Sequence, residues 1–550
     1  MSTPQTQDVA AEPARRPDPR SFDQVVLQTA RRTPPPSAGR QHARRPAWSA
    51  TAALRGRPRA LTVLLAAVLS VLGAVRVLVP TAIGLADSGE GRTVACSLGI
   101  EPAGGGPRYF SFSILDWAAA TEPCAGTPTL QSALLHVAGW LSPGAALDLR
   151  VTALAWCVLA AVAAAAVGHL ARGRRFGRTV ATGLTWVVLL DTAFVGYSAS
   201  LYPQALALAG LVLCLVGWLL LDDAGALRWV GWAAVLGGGA ALVVAGPVTA
   251  TAAVPLVGLL GWRAVREGRA AAWRATSWAV PAAVALALLA PAIVGATSAT
   301  AEQRKNNVWE MVGVGLLADV ADPGAELEDM GLPRETERFV GVGIWSPSSI
   351  RGWSGWSGLE LGQGEVLRYL ATHPGAAYDR LEASVDGVAA GLPAGLGSYT
   401  AESGEPAGAQ EGRLTIFSSF QGSFLGIGAP VALLAWGFLL WVALAAWRAH
   451  GPRDPGRRLA EAALLALGVA ATQVLAVALT EATDVARHVV VGGLAGGLAL
   501  CLVVGSGLTL RGETGAGADP GTEDEPEATA TATATAPSAP EAASAAGSGR

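Results

Sequence analysis

Charged residues are scarce in this chain of 550 residues, since Asp, Glu, Lys and Arg together make up 15% of it. A soluble protein typically carries about 25%. Lysine occurs once, as Lys305, whereas arginine is common. The formal net charge is only −3, and we expect no nucleic-acid partner. The shortage of charge argues against a soluble globular protein.

Cysteine is scarce as well, with five residues and no C-x-x-C pair. No Cys/His cluster has the spacing of zinc ligands, and the function considered below requires no metal, although pairs of acids can bind one. Cys96 and Cys124 fall in one predicted loop, where a disulfide could form in an oxidising compartment. Two thiols in a sequence do not establish proximity, so the sequence leaves this pairing open.

Long apolar runs are what the chain has in abundance, and hydrophobic residues make up 51% of it. Runs near 20 residues match the length needed to cross a bilayer. We predict ten transmembrane helices, at 60–80, 151–170, 179–198, 203–221, 229–246, 248–262, 276–296, 423–447, 459–480 and 488–509. The sixth is the weakest, because it is short and is broken by Pro255. The predicted fold class is an all-α polytopic membrane protein with two large, partly ordered loops, 81–150 and 297–422.

The arginines indicate which helix ends face the cytoplasm. Clusters precede the first span and follow the second, fourth, sixth, eighth and tenth, and cytoplasmic loops carry such an excess. With ten spans every cluster falls on one face, whereas one span more or fewer would split them. We therefore predict a multi-pass protein of the cell membrane, with both termini cytoplasmic and both large loops outside. Residues 58–510 form the transmembrane domain, and the low-complexity segments 1–57 and 511–550 are predicted to be disordered cytoplasmic tails.

The first large loop opens with two acids and an arginine, Asp87, Glu90 and Arg92. One carboxylate could take a proton from an acceptor hydroxyl while the other orients it. Arg92 could hold a phosphate through paired N–H donors. A solvated loop in which Asp87 caps a short helix is the plainer alternative.

A second polar segment lies between the last two spans and contains Glu481, Asp484, Arg487 and His488. Ionisable groups between long apolar helices usually face a protein cavity. Arg487 and His488 are candidate ligands for a lipid phosphate, and the acids are candidates for binding a sugar or an acceptor. The alternative is a solvated turn whose arginine extends to the lipid headgroups.

Two further segments on the predicted outer face carry polar side chains. Tyr197, Ser198 and Tyr202 form a short turn that could line a sugar or acceptor pocket, although interfacial tyrosines are commonly membrane anchors. Arg304 and Lys305 open the second large loop and break the charge bias of the other arginine clusters. That exception indicates a specific role, such as binding phosphate.

The order of these segments resembles polytopic glycosyltransferases of the GT-C type, specifically bacterial hexose transferases of cell-surface glycan biosynthesis. The resemblance covers roughly residues 60–510. It rests on Asp87-Ser88-Gly89-Glu90, Tyr197–Tyr202, Asn306–Leu317, Gly331-Leu332-Pro333, Tyr369–Pro374 and Asp484 with Arg487-His488. In such relatives we expect a second Asp where this chain has Glu90.

The resemblance implies a polyprenyl-phosphate sugar as donor, a glycan or lipid-linked acceptor, and membrane lipid as the surroundings. It implies that Asp87 is the general base. Our hypothesis is an inverting transfer in which Arg92, Arg487 and His488, with Arg304 or Lys305, stabilise the departing phosphate. Such a donor needs no nucleotide, which agrees with the lack of a Rossmann or P-loop signature, and we expect no cofactor. The main alternative is a lipid or polysaccharide transporter or flippase of the cell envelope. A structural protein that binds cell-wall polymer is the second.

Overall fold

The computed structural model describes residues 58–103, 111–122, 124–171, 175–270 and 275–516. The predicted tail 1–57 and most of the predicted tail 511–550 lie outside these residues, although the last helix continues to Ala516. Within the described ranges, 9 helices are long and apolar enough to cross a membrane, and one bent helix pair makes ten. The prediction of an all-α polytopic membrane protein is confirmed.

The helices and strands follow in chain order. The α-helices are α1 (Pro58–Leu78), α2 (Gly91–Leu98), α3 (Leu130–Trp140), α4 (Arg150–Leu170), α5 (Arg175–Leu189), α6 (Thr192–Ser198), α7 (Pro203–Leu220), α8 (Ala226–Val244), α9 (Pro247–Ala250), α10 (Ala253–Ala270), α11 (Ala275–Ala296), α12 (Ala301–Trp309), α13 (Pro323–Asp329), α14 (Gln363–Thr372), α15 (Pro374–Ala390), α16 (Ile416–Leu425), α17 (Ala429–Ala449), α18 (Pro455–Thr480) and α19 (Val485–Ala516). A π-helix, Glu310–Leu316, continues α12, and three short 3-10 helices are Arg334–Phe339, Ile350–Gly352 and Ala401–Ser403. The strands are β1 (Ile100–Pro102), β2 (Asp116–Ala119) and β3 (Leu147–Asp148).

Small residues let the central spans approach closely. A Cβ atom on Gly210 of α7 would lie 2.7 Å from the carbonyl oxygen of Gly238 on α8, and one on Gly217 would lie 2.7 Å from the backbone nitrogen of Val235. In a bilayer, helix association depends on such packing rather than on the hydrophobic effect. The helix at the centre of the bundle is α19, since 83% of its apolar 18-residue stretch is buried. Only 11% of the corresponding stretch of α1 is buried, so α1 lies at the outside.

The third span is broken between α5 and α6, which meet at a bend of 59°. Asp191 lies at the break and is fully buried. Its Oδ1 accepts a hydrogen bond from the N–H of Ala193 (3.1 Å) at the start of α6. Its Oδ2 accepts from the N–H groups of Phe417 (2.9 Å) and Ser418 (3.0 Å) at the start of α16. One carboxylate therefore supplies acceptors to the free N–H groups of two helix starts.

Both large loops are ordered in part, as predicted. The first contains α2, α3 and a three-stranded antiparallel sheet in the order β1-β2-β3. Cys96 and Cys124, whose pairing the sequence left open, form a disulfide that joins α2 to the segment before α3. The second loop has its own apolar core around Trp309, Leu327 and Val366.

One end of the helix bundle carries a dense network of ion pairs around Glu461 on α18. Arg266 and Arg457 lie 2.7 Å and 3.3 Å from its Oε1, and Arg263 lies 3.8 Å from its Oε2. Arg263 also pairs with Asp222, in the turn between α7 and α8. We call Glu461, its three arginines and Asp222 the Glu461 cluster. These arginines belong to the clusters that predicted the cytoplasmic face, so here they also connect spans.

Candidate active site

Asp87 follows a stretch of extended chain that the second large loop holds in place. The N–H of Gly84 donates to the carbonyl of Ser398 (2.9 Å), and that of Ala86 donates to the carbonyl of Gly397 (2.8 Å). Backbone pairing of this kind fixes the direction in which the chain leaves Ala86. The position of Asp87 therefore depends on both large loops.

The two oxygens of the Asp87 carboxylate have different surroundings. Oδ1 accepts hydrogen bonds from the N–H groups of Gly89 (2.9 Å) and Gly91 (3.0 Å). The residue is 8% exposed, and Oδ2 is buried with no hydrogen-bond partner among the described residues. Burial raises the pKa of Asp87, while the Gly91 and Gly89 N–H groups and the charge of Arg487 oppose that rise. One oxygen is thus fixed by the backbone and the other is left to accept a proton.

Gly91 provides the space in which Oδ2 lies. A Cβ atom at this position would be 2.7 Å from Oδ2 and 2.9 Å from the Cβ of Leu201. Both distances are below normal contact, so a larger residue would displace the carboxylate or the neighbouring chain. Glycine is therefore required here for close approach.

Arg487 connects the first loop to the last span. Its guanidinium is buried, with Nη2 at 2.8 Å from Glu90 Oε1 and 3.1 Å from Asp484 Oδ2. Nη1 donates to Ser88 Oγ (2.7 Å), and the guanidinium carbon lies 5.3 Å from the centre of the Tyr202 ring. We call these five residues the Arg487 cluster. The structure thus brings together two predicted polar segments that lie 399 residues apart.

The turn at Asp484, which precedes α19, orients the side chain of Arg487 toward the first large loop. Asp484 has a φ of 51°, in the left-handed region that Asp adopts more readily than most residues. Its carbonyl accepts hydrogen bonds from the N–H groups of Arg487 (2.9 Å) and His488 (3.3 Å), which begins the helix.

Two further acids lie close to Arg487. Burial raises the pKa of Glu90, and the charge of Arg487 opposes this. Burial, with the neighbouring charge of Glu90, raises the pKa of Glu481 to about 8. The Oε2 of Glu481 lies 3.6 Å from Nε2 of His488. At neutral pH Glu481 is therefore largely protonated, so it is a potential hydrogen-bond donor rather than a charge.

The predicted tyrosine turn lies directly beside this cluster. The hydroxyl of Tyr202 accepts from the N–H of Ser88 (2.6 Å) and donates to the carbonyl of Ala86 (3.0 Å), so Tyr202 braces the chain on both sides of Asp87. Tyr197 is fully buried, and its hydroxyl has no hydrogen-bond partner among the described residues. The hydroxyl of Ser198 donates to the carbonyl of Val195 (2.6 Å) within its own helix.

Three predicted phosphate ligands lie elsewhere. Arg92 is exposed. Arg304 donates to the carbonyl of Ala299 (2.6 Å). Lys305 donates to the carbonyl of Trp356, and its ammonium lies 4.5 Å from the centre of that ring. In the described ranges no hydrogen bond or ion pair joins these three cations to the Arg487 cluster, and their role as phosphate ligands stays a prediction.

The model of one protein family, the YfdI N-terminal transmembrane domain, matches residues 50–514. The chain belongs to this family. The YfdI proteins are a GT-C-like family of membrane glycosyltransferases, so the resemblance predicted from the sequence is confirmed at that level. No significant match to a curated protein or to a solved structure was found.

Within this YfdI-type domain, two charged residues near the site were missed by the sequence analysis. Glu310 of the π-helix accepts a hydrogen bond from Thr483 (2.9 Å), and Arg380 of α15 donates to the carbonyl of Glu481. Glu310 lies within the segment 306–317 that carried part of the resemblance, which was a usable signal. Arg380 sits in a helix whose local pattern has no unusual feature, so its importance emerges only from the fold.

Proposed function

We propose that the chain is a membrane glycosyltransferase that moves a hexose from a polyprenyl-phosphate donor to a cell-surface glycan or lipid-linked acceptor. The observation that carries the proposal is the buried, unpartnered Oδ2 of Asp87, beside the buried guanidinium of Arg487. Native proteins rarely leave a buried carboxylate oxygen without a partner. Such an oxygen is suited to accept the proton of an incoming hydroxyl.

In the proposed reaction Asp87 is the general base. Oδ2 takes the proton of the acceptor hydroxyl as its oxygen forms a bond to the anomeric carbon. The bond from that carbon to the phosphate oxygen breaks, and the electron pair leaves with polyprenyl phosphate. Attack opposite to the leaving group inverts the anomeric centre.

The other residues of the cluster prepare this step. Glu90, an acid that the sequence analysis placed in the reaction, holds Arg487 at 2.8 Å and so orients it. The positive charge of Arg487 is available where charge develops on the leaving phosphate, and a buried charge acts more strongly than one in water. Tyr197 and Glu481 lie near Arg487 and are proposed to contact the sugar or the acceptor, and His488 is proposed to contact the phosphate.

We place the reaction on the extracytoplasmic face. The Cys96–Cys124 disulfide in the first loop supports this, because structural disulfides persist in oxidising compartments. The arginine clusters at the opposite helix ends support it as well. Both termini are then cytoplasmic.

The test is transfer of radiolabelled hexose from polyprenyl-phosphate hexoses, offered one at a time to membranes that contain the full chain. Asp87→Asn should lower the rate about 10²–10⁴-fold, the usual contribution of a general base. Asp319→Asn, at an exposed aspartate of the second loop, is the matched control and should leave the rate unchanged. Since the pKa of Asp87 is raised, the acidic limb of the rate profile should lie above the usual range of an aspartate.

Two results would contradict the proposal. Near-normal transfer by Asp87→Asn at normal protein level would remove Asp87 as the base. A reconstituted protein that moves labelled lipid across vesicles without changing it would favour a flippase instead.

A further inference from the structure

Arg380 is a buried cation that lacks a paired anion. The residue is 6% exposed, and it lies on α15, which packs against α18 and α19. Its Nη2 donates to the backbone carbonyl of Glu481, whereas Nε is buried without a hydrogen-bond partner. Among the described residues Arg380 forms no ion pair, and Glu481 is the acid whose charge acts on its pKa. A buried charge normally has an ion-pair partner, because the cost of removing it from water is large.

The surroundings of Arg380 compensate this charge only in part. Burial lowers the pKa of Arg380, and the charge of Glu481 opposes that effect, but burial also raises the pKa of Glu481 to about 8 and so weakens its negative charge near neutral pH. On the other side, Gly315 of the π-helix packs closely against Nη1, since a Cβ atom there would be 3.2 Å from Nη1 and 2.8 Å from the Cβ of Ala482. Arg487, in contrast, already has the carboxylates of Glu90 and Asp484 within 3.1 Å. The two buried arginines of the site are therefore in opposite electrostatic states.

We propose that Arg380 receives the phosphate group of the lipid-linked donor. The inference rests on the proposed function, which it deepens by adding Arg380 to Arg487 as a ligand of the donor's phosphate. A guanidinium with free N–H groups binds phosphate with charge-assisted hydrogen bonds. Glu481 lies between the two arginines, since its carbonyl binds Arg380 and its side chain approaches His488, the neighbour of Arg487. A phosphate at Arg380 therefore lies on the same turn that carries Arg487 to Asp87.

The inference identifies the anion that would pair with Arg380 as a phosphate group. Three cations that the sequence predicted to bind phosphate are Arg92, Arg304 and Lys305. They are exposed or bound to backbone carbonyls, and in the described residues they have no contact with the Arg487 cluster. Arg380 is the buried arginine that a phosphate would neutralise. Protonated Glu481 could donate a further hydrogen bond to a phosphate oxygen.

The experiment measures equilibrium binding of radiolabelled farnesyl phosphate to the purified full chain in detergent. Farnesol tests the need for the phosphate, and inorganic phosphate tests the need for the lipid. Arg380→Gln should weaken farnesyl phosphate binding at least about tenfold, which corresponds to about 1.4 kcal/mol. Arg380→Lys should weaken it less, because the charge is kept. Arg368→Gln, at an exposed arginine of α14, is the matched control and should bind as the unchanged protein does.

Several outcomes separate this inference from the proposed function. Asp87→Asn should lose transfer and keep farnesyl phosphate binding, whereas Arg380→Gln should lose both. If Arg380→Gln binds farnesyl phosphate normally, Arg380 only holds the Glu481 carbonyl and the inference is wrong, whatever Asp87→Asn shows. If inorganic phosphate binds as tightly as farnesyl phosphate, the lipid-linked donor is excluded as the source of the anion. If Arg380→Gln does not fold, Arg380→Lys replaces it in the test. The inference is then overturned if Arg380→Lys binds farnesyl phosphate as tightly as the unchanged protein does and farnesol binds as tightly as farnesyl phosphate.

Discussion

The buried charged groups near the two ends of α18 differ in whether they form ion pairs. Near its first turn, Glu461 is shared by three arginines, and the neighbouring Asp222 pairs with Arg263. About 30 Å away, at the helical rise of α18, the described part of the chain leaves Asp87 and Arg380 without an ion pair. Ion pairs within the protein complete the first end and leave the second incomplete. The difference is what we expect if the first end stabilises the fold and the second end holds the proposed donor site.

The largest loss of stability should come from a substitution in the Glu461 cluster, where the buried charges are paired. Glu461→Gln would leave three guanidinium groups without their shared carboxylate, and losing one partner of a buried pair costs about 3–5 kcal/mol. We expect a large fall in the thermal unfolding temperature of the purified protein. Glu360→Gln, at an exposed glutamate, should unfold like the unchanged chain. Equal stability of the two variants would mean that the Glu461 cluster contributes little.

Removal of the disulfide should lower the stability less than Glu461→Gln does, and its effect should be confined to the first large loop. The Cys96–Cys124 bridge closes a loop of 28 residues, and a loop of this size gains about 3.6 kcal/mol in the chain-entropy model. Cys96→Ser combined with Cys124→Ser should lower the unfolding temperature by less than Glu461→Gln does. Limited proteolysis should then cut the first loop sooner. Unchanged protease resistance of that loop would contradict this expectation.

A smaller effect should follow from filling the space beside Asp87. Gly91→Ala would place a methyl group 2.7 Å from Oδ2, and we expect transfer to fall about tenfold, or about 1.4 kcal/mol in the barrier. Gly364→Ala, where a Cβ atom would meet nothing within 4 Å, is the control. Equal rates for the two variants would show that the position of Oδ2 is not critical.

The smallest effect should come from Lys305. Its ammonium is already held by the carbonyl and the ring of Trp356. Lys305→Gln should therefore change transfer and farnesyl phosphate binding less than about twofold, since the contacts of a half-buried charge that lies away from the Arg487 cluster contribute little. A loss as large as that of Arg380→Gln would move the phosphate site to the start of the second loop.

The fold was predictable because its signal is local. Apolar runs near 20 residues and arginines at alternate ends fix the spans, and all ten segments predicted from the sequence have counterparts among the described helices. The break at Asp191 was not predicted, because the segment 179–198 reads as one apolar run. The carboxylate caps α6 locally, and its second contact, with α16, is formed across 226 residues and follows from the fold alone.

The site was predictable in part. The segments containing Asp87 and Arg487 were identified because charged residues are unusual at the ends of apolar helices. That these two segments meet depends on the fold, as does the contact between Arg380 and Glu481 across 101 residues. The unusual position of Lys305 was a genuine signal, but in the structure its charge is held by Trp356 in the second loop.

The shared cap at Asp191 connects the geometry of the proposed active site to a point inside the helix bundle. Its two oxygens anchor α6, which ends at Ser198 close to the tyrosine turn, and α16, which follows the second loop. Asp191→Asn would replace one acceptor with a donor that faces backbone N–H groups. A lesion there would therefore be transmitted to both walls of the site at once, and it would resemble damage to Asp87 without touching any reacting atom.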